Sequence, residues 1–133
     1  ALGVPDTLQH DDLHDGNVLV DDRGDLRIID WGDASIAPAF THLTVLLAAP
    51  WLRSGRPGED PSGRVRDSYL DAWTDLAPLG TLRDCVPHAR YVGSVVRAQA
   101  WRRCIANATP DQLDEWGAAV PRWLRQLLEP PAR

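Results

Sequence analysis

The chain has 133 residues, 19 acidic and 14 basic side chains, and a formal net charge of −5; every basic residue is arginine, and neither lysine nor methionine occurs. That length suits one domain with an ordinary core, and the negative charge argues against a nucleic-acid or anionic-membrane surface. The missing lysine excludes a Walker-type phosphate loop, a Schiff-base lysine and a lysine nucleophile.

The chain changes character near residue 38. Before it, Val18-Leu19-Val20 and Leu26-Arg27-Ile28-Ile29 are short β-rich runs around Asp21-Asp22-Arg23-Gly24-Asp25, a turn composition with Gly available for positive φ. A hairpin is predicted there. Centring its turn between Arg23 and Gly24 sets Val20 opposite Arg27, Val18 opposite Ile29 and Asn17 opposite Asp30. After Pro38 the signals are helical: a mostly apolar segment over 39–49, a polar Gly/Pro loop over 50–61, and an amphipathic helix over 62–76 with Val65, Tyr69, Ala72, Trp73 and Leu76 at helical spacing. A further helix over 84–106 carries Val92, Val95, Val96, Trp101 and Ile105, and both Cys85 and Cys104. On one helix those cysteines stand about 28 Å apart, too far for a disulfide, so free thiols are expected. Thr109-Pro110-Asp111-Gln112 reads as a capping-box start, and Pro121 as a break in the last helix. The six tryptophans are expected mostly in the core, and Arg83, Arg90 and Arg97, spaced every seven residues, as a solvated stripe. No run approaches the about 18 apolar residues of a membrane span. Residues 1–6 lack the design of a signal peptide, so a cytoplasmic location is expected.

The chemistry is concentrated in His10-Asp11-Asp12-Leu13-His14-Asp15-Gly16-Asn17 and, after the hairpin, Ile28-Ile29-Asp30-Trp31-Gly32-Asp33. In the expected register the Asn17 amide and the Asp30 carboxylate meet at the open end of the hairpin, with Asp12 held nearby by the tight loop before it. One neutral and two anionic oxygen donors suit Mg²⁺, which uses few carboxylates and completes its octahedron with phosphate and water.

A His-x-Asp-x-x-x-x-Asn loop followed by a strand ending in Asp-x-Gly resembles the catalytic and metal loops of the protein-kinase-like fold. The wording here, His-Asp-Asp-Leu-His-Asp-Gly-Asn-Val-Leu and Ile-Ile-Asp-Trp-Gly-Asp, is similar to the aminoglycoside phosphotransferase and choline kinase branch, best over residues 7–47. The resemblance implies an α+β fold: the C-terminal lobe of a kinase-like enzyme, with one catalytic β-hairpin and four or five mostly α-helical segments, as a single domain over 1–133. It implies ATP-dependent transfer of a γ-phosphoryl group to a substrate hydroxyl. Asp12 would orient that hydroxyl and take its proton, Asn17 and Asp30 would hold Mg²⁺ against the nucleotide phosphates, and His14 would stand where a loop lysine approaches the transferred phosphate. His10 would brace the metal loop, and Trp31 would replace a packing Phe. Asp11 and Asp15 depart from positions where Gly and Pro are common and add negative charge beside Asp12.

The family's N-terminal lobe supplies a phosphate-covering loop, a gripping lysine and its glutamate partner. Only six residues precede Thr7 and there is no lysine, so that lobe is expected to be absent and the chain alone to be inactive. The acceptor is expected to be a small-molecule hydroxyl compound, with the acidic helices compatible with a cationic one; no nucleic-acid or membrane partner is expected. The alternative is a non-catalytic lobe that binds metal or a partner, with a dimer covering the face left open. A His-Asp metal hydrolase built on His10, Asp11, His14, His42 and His88 is a third reading, which the expected hairpin disfavours.

Overall fold

The computed structural model describes residues 3–49, 52 and 58–129. Most of the polar loop expected over 50–61, and Trp51, lie outside the described residues. The architecture is mixed α+β: two small antiparallel ribbons followed by helices.

β1 (Asp6–Gln9) pairs with β4 (Ser35–Pro38), Asp6 opposite Pro38 and Gln9 opposite Ser35. Sequence patterning does not announce this ribbon, because neither strand carries an alternating run of β-branched residues. Its consequence is topological. The 10–17 loop leaves the ribbon after Gln9, and the 30–34 segment returns to it at Ser35, so both loops emerge from the same end.

Between them stands the expected hairpin, β2 (Val18–Val20) and β3 (Leu26–Ile28). Its register differs from the expected one by a residue: Val18 faces Ile28, Leu19 faces Arg27 and Val20 faces Leu26. The loop explains the shift. The Gly24 N–H donates to the Asp21 carbonyl at 2.9 Å, the Asp21 carboxylate accepts from the N–H groups of Arg23 and Asp25, and Gly24 sits at φ +85°. This is a type I turn followed by a left-handed glycine, a three-residue loop centred on Arg23 rather than a two-residue one. An odd-length loop changes the pairing by one residue.

The apolar segment expected as a helix over 39–49 forms a single turn, α1 (Leu43–Leu46). Phe40 adopts φ +80°, which no helical residue can hold, so the helix starts only after it. α2 (Pro61–Asp71) begins with the Asp60 carboxylate accepting from the Gly63 N–H at 2.8 Å and with proline at its first position. It ends before Trp73 and Leu76, which follow in turns. α3 (Leu79–Cys104) starts earlier than expected and carries both cysteines, which are free. α4 (Pro110–Trp116) opens on the expected capping box between Thr109 and Gln112. The last helix breaks at Gly117-Ala118, and Pro121 lies in the first turn of α5 (Ala119–Arg125), where its missing N–H breaks no helical bond.

The core lies among α1, α2 and α3: Phe40, Leu43, Leu70, Leu82, Val86 and Ala89 are buried, with Tyr69 and Trp73 packed edge-on against Phe40. Only part of the tryptophan expectation holds. Trp73 packs on the core, Trp31 is exposed, and Trp101 and Trp123 line cavities. Both ribbons stand outside this core, with Val20 64 %, Leu26 68 % and Ile36 72 % exposed. Among the described residues no helix is long and apolar enough to cross a membrane.

Candidate active site

The 10–17 loop is built on His10. The Asp12 N–H donates to His10 Nδ1 at 3.3 Å, so the ring proton sits on Nε2, which donates to the Ile29 carbonyl at 2.8 Å. One buried imidazole thereby ties the backbone of Asp12 to the residue before Asp30. The Trp31 ring lies 4.7 Å from that imidazole, and its indole N–H donates to the Ile28 carbonyl. The bracing role the resemblance gives His10 has a physical form here.

Asp11 has left-handed backbone, φ +61°. Glycine holds that conformation without cost, and aspartate is among the few other residues that tolerate it. Its carboxylate is buried and accepts from the Ser35 hydroxyl at 2.5 Å and from the Thr41 hydroxyl at 3.4 Å. Burial pushes this carboxyl above its ordinary value, against the pull of those hydroxyls. Asp11 fastens the loop to β4 and to the start of α1, and is not among the residues lining the cavity, although its charge is felt by Arg97 and Asp33 there.

Asp12 and Asp30 do line one cavity of about 250 Å³, with Gly32, Asp33, Arg97, Trp101 and Cys104. The cavity is smaller than the roughly 300–1,000 Å³ of whole-ligand pockets, which suits reacting groups rather than a complete nucleotide. Asp30 arrives there by a different route from the expected one. Asn17 lies opposite Ile29, whose N–H donates to the Asn17 carbonyl at 3.0 Å, and Asp30 lies beyond the ladder at φ +59°, ψ +60°. The left-handed turn, not cross-strand pairing, carries Asp30 to the cavity. Asn17 is buried, and its Nδ2 donates to the Asp12 carbonyl at 2.9 Å. That bond fixes the amide and leaves Oδ1 as its acceptor oxygen.

His14 is not brought to this cavity. Its Nδ1 accepts from the Gly16 N–H at 3.1 Å and caps the 3-10 turn Asp15–Asn17. With Asp15 it edges a second cavity lined by Val45, Ala48, Ala49 and Trp123. The structure gives His14 a loop-bracing contact and separates it from Asp12 and Asp30. His42 is buried against Tyr69 and His88 is exposed on α3, bonded to the Asp84 carbonyl. Neither faces the 10–17 loop's cavity.

Two residues that sequence reasoning missed complete the site. Arg97 is only 6 % exposed; its Nη2 lies 3.0 Å from Asp12 Oδ1 and its Nη1 2.6 Å from Asp33 Oδ2. Arg103 approaches the other Asp33 oxygen at 3.8 Å. The solvated-stripe reading holds for Arg83, which pairs with Asp67 at the surface, and fails for Arg97. A signal was present: Leu82, Val86, Ala89, Gly93 and Ala100 mark the buried stripe of α3, and Arg97 falls in line with them. A charge inside an apolar stripe needs a buried partner.

Oxygen donors of this kind suit Mg²⁺: Asp30 brings a carboxylate to the cavity, whereas Asn17, its amide fixed on the Asp12 carbonyl, is not among the lining residues. Among the described residues no group of three or more His, Cys, Asp and Glu side chains is placed to hold a metal ion. Three cavity carboxylates face the buried Arg97 guanidinium, with Arg103 3.8 Å from Asp33, so the cavity keeps a net negative charge that a cation would offset.

No curated protein and no solved structure matches the chain. Residues 1–84 match the family model described as phosphotransferase enzyme family. That span includes both loops, the hairpin between them and the ribbon that sets them side by side. The chain therefore belongs to the phosphotransferase enzyme family, with a kinase-like fold.

Proposed function

We propose that the chain carries the transfer site of an ATP-dependent small-molecule phosphotransferase, which moves the γ-phosphoryl group to a substrate hydroxyl as the C-terminal lobe of a longer enzyme. The supporting observation is the single cavity shared by Asp12 and Asp30, held by His10 bridging Asp12 to Ile29. Asp12 accepts a hydrogen bond from the acceptor hydroxyl, orients it, and takes its proton as the bond to phosphorus forms. Asn17 and Asp30 hold Mg²⁺, which when bound neutralises charge spread over the phosphate oxygens. Phosphoryl transfer has little covalent chemistry for a protein to perform, so positioning and charge neutralisation are what these residues must supply. His14, fixed by its cap, serves the shape of the loop. The acceptor is a small-molecule hydroxyl compound, and the acidic residues of the helices are compatible with a cationic one.

In the full-length protein, Asp12→Asn is expected to lower phosphoryl transfer by about 10²–10⁴-fold, the usual weight of a positioned acid–base group, with circular dichroism unchanged. Retention of wild-type turnover would remove Asp12 from its assigned role. The exposed strand pairs Val20–Leu26 and Leu8–Ile36 favour a second reading, a non-catalytic lobe that presents this surface to a partner. Absence of Mg²⁺-dependent nucleotide binding by calorimetry in the full-length protein would favour that reading.

A further inference from the structure

We propose that Arg97 is the positioning residue of the transfer site: its guanidinium holds Asp12 through Oδ1 and Asp33 through Oδ2, and so locks the catalytic loop to the metal loop. This rests on the transfer role given above to Asp12.

Arg97 enters from α3, beyond the segment that matches the family, and no loop signature points to it. Its two terminal nitrogens reach different loops: one bond goes to the residue that meets the acceptor, the other to the 3-10 turn Trp31–Asp33 that follows Asp30 directly. The third nitrogen, Nε, is buried and has no hydrogen-bond partner. A side chain kept only to staple α3 would gain from satisfying that atom; here the fork is spent on the two carboxylates of the cavity instead. Lysine could not do the same, because a point charge on a flexible stem does not fix two acceptors in one plane.

The geometry sets what Asp12 can do. The ion pair sets Oδ1 against a permanent cation and leaves Oδ2 for the acceptor hydroxyl. A carboxylate held this way is a better-oriented acceptor. That suits a loose transition state, in which the hydroxyl proton leaves late and alignment dominates the barrier. The Asp33 bond adds a second constraint, since it fixes how far the turn bearing Asp30 stands from Asp12.

The test uses the full-length protein, with two readouts. The first is the carbon NMR signal of the Asp12 carboxylate in protein labelled at aspartate, assigned by its loss in Asp12→Asn. In Arg97→Lys, which retains the charge and guards against misfolding, this signal is expected to shift or broaden. An unmoved signal overturns the proposal. The second is Mg·ATP turnover with water as acceptor, measured as phosphate release. Arg97→Gln and Arg97→Lys are expected to lower kcat about 10- to 100-fold, the scale of a misplaced reacting group, with the KM for Mg·ATP unchanged. Millimolar guanidinium is expected to restore part of the loss in Arg97→Ala, because the guanidinium site borders an accessible cavity. Wild-type kcat in Arg97→Gln or Arg97→Lys, with only the melting temperature lowered, makes Arg97 a staple and overturns the proposal while leaving Asp12's role intact. Wild-type turnover in Asp12→Asn overturns both.

Discussion

His42 shows how much one side chain can impose on the molecule. It is buried between the 10–17 loop's support and α2, edge-on to Tyr69 at 4.8 Å, and its Nδ1 has no hydrogen-bond partner. Burial, with a smaller push from His10, lowers its pKa from the ordinary 6.5 to about 4. Above pH 6.5 the ring is neutral in both the folded and the unfolded chain and costs nothing. Between pH 6.5 and 4 the unfolded chain takes up a proton that the folded chain refuses, so stability falls as pH falls, by up to about 3 kcal/mol across the window. His42→Phe keeps the packing against Tyr69 and removes the proton site. Urea midpoints at pH 7 and pH 5 are expected to converge in this variant and to diverge in the wild type. An equal drop in both would assign the acid sensitivity elsewhere. Asp11 adds a second residue whose chemistry depends on place: at φ +61° and bonded to Ser35 and Thr41, its ordinary acidic character is turned to holding the loop.

Among the elements, α3 governs the site through a contact that contains no charge. At Gly93 the helix lies so close to α1 that an added Cβ would stand 2.0 Å from Thr44 Oγ1 and 2.6 Å from the Thr41 carbonyl oxygen. Arg97 is one helical turn further on, so this close approach is what lets the guanidinium reach Asp12. Gly93→Ala is expected to destabilise the fold by about 1–3 kcal/mol, the cost of overpacking, and to reduce turnover as well by moving α3 outward. Thermal melting and phosphate release check the two effects. Thr44→Ala added to it recovers only part of each, because the Thr41 carbonyl is backbone and cannot be removed. The same elements show what sequence makes legible. The hairpin, the capping box at Thr109 and the break near Pro121 are written in local residue choices. The bracing of the two loops is not local, because His10 reaches Ile29 nineteen residues on, and only the family resemblance points to it. The β1–β4 ribbon is not legible either, since its pairing joins segments of unremarkable pattern, and the hairpin register turned on whether Asp21 closes a loop of even or odd length. Arg97 lay hidden because its partners Asp33 and Asp12 are 64 and 85 residues away, and heptad spacing on a helix describes a solvated face and a buried one equally well.

For the whole molecule, the core and the candidate site occupy different regions. The buried cluster sits among α1, α2 and α3, whereas the loops hang from two thin ribbons that a core does not cover. Isolated two-stranded ribbons are marginal in water, so these depend on their links to the helical part: Asp11 to Thr41, Gln9 to Thr41 and His42, and Arg97 to both loops. Leu8, Ile36, Leu19, Val20, Leu26, Ile28 and Trp31 are all exposed, with Val20, Leu26 and Ile28 on one face of the hairpin. Water meets an apolar surface there that belongs to strands, and strand pairs with bare apolar faces are prone to self-association. The net charge of −5 opposes association at long range but is screened beyond roughly 8–10 Å at physiological salt. The 133-residue chain alone is therefore expected to self-associate in a concentration-dependent way in sedimentation velocity, more strongly as salt is raised. Val20→Glu together with Leu26→Lys places opposite charges on a facing pair, which keeps the hairpin paired while removing its apolar face. That double variant is expected to sediment as a monomer with unchanged helical circular dichroism. Continued association of the double variant would move the contact to the β1–β4 ribbon, where Ile36→Lys is the corresponding change.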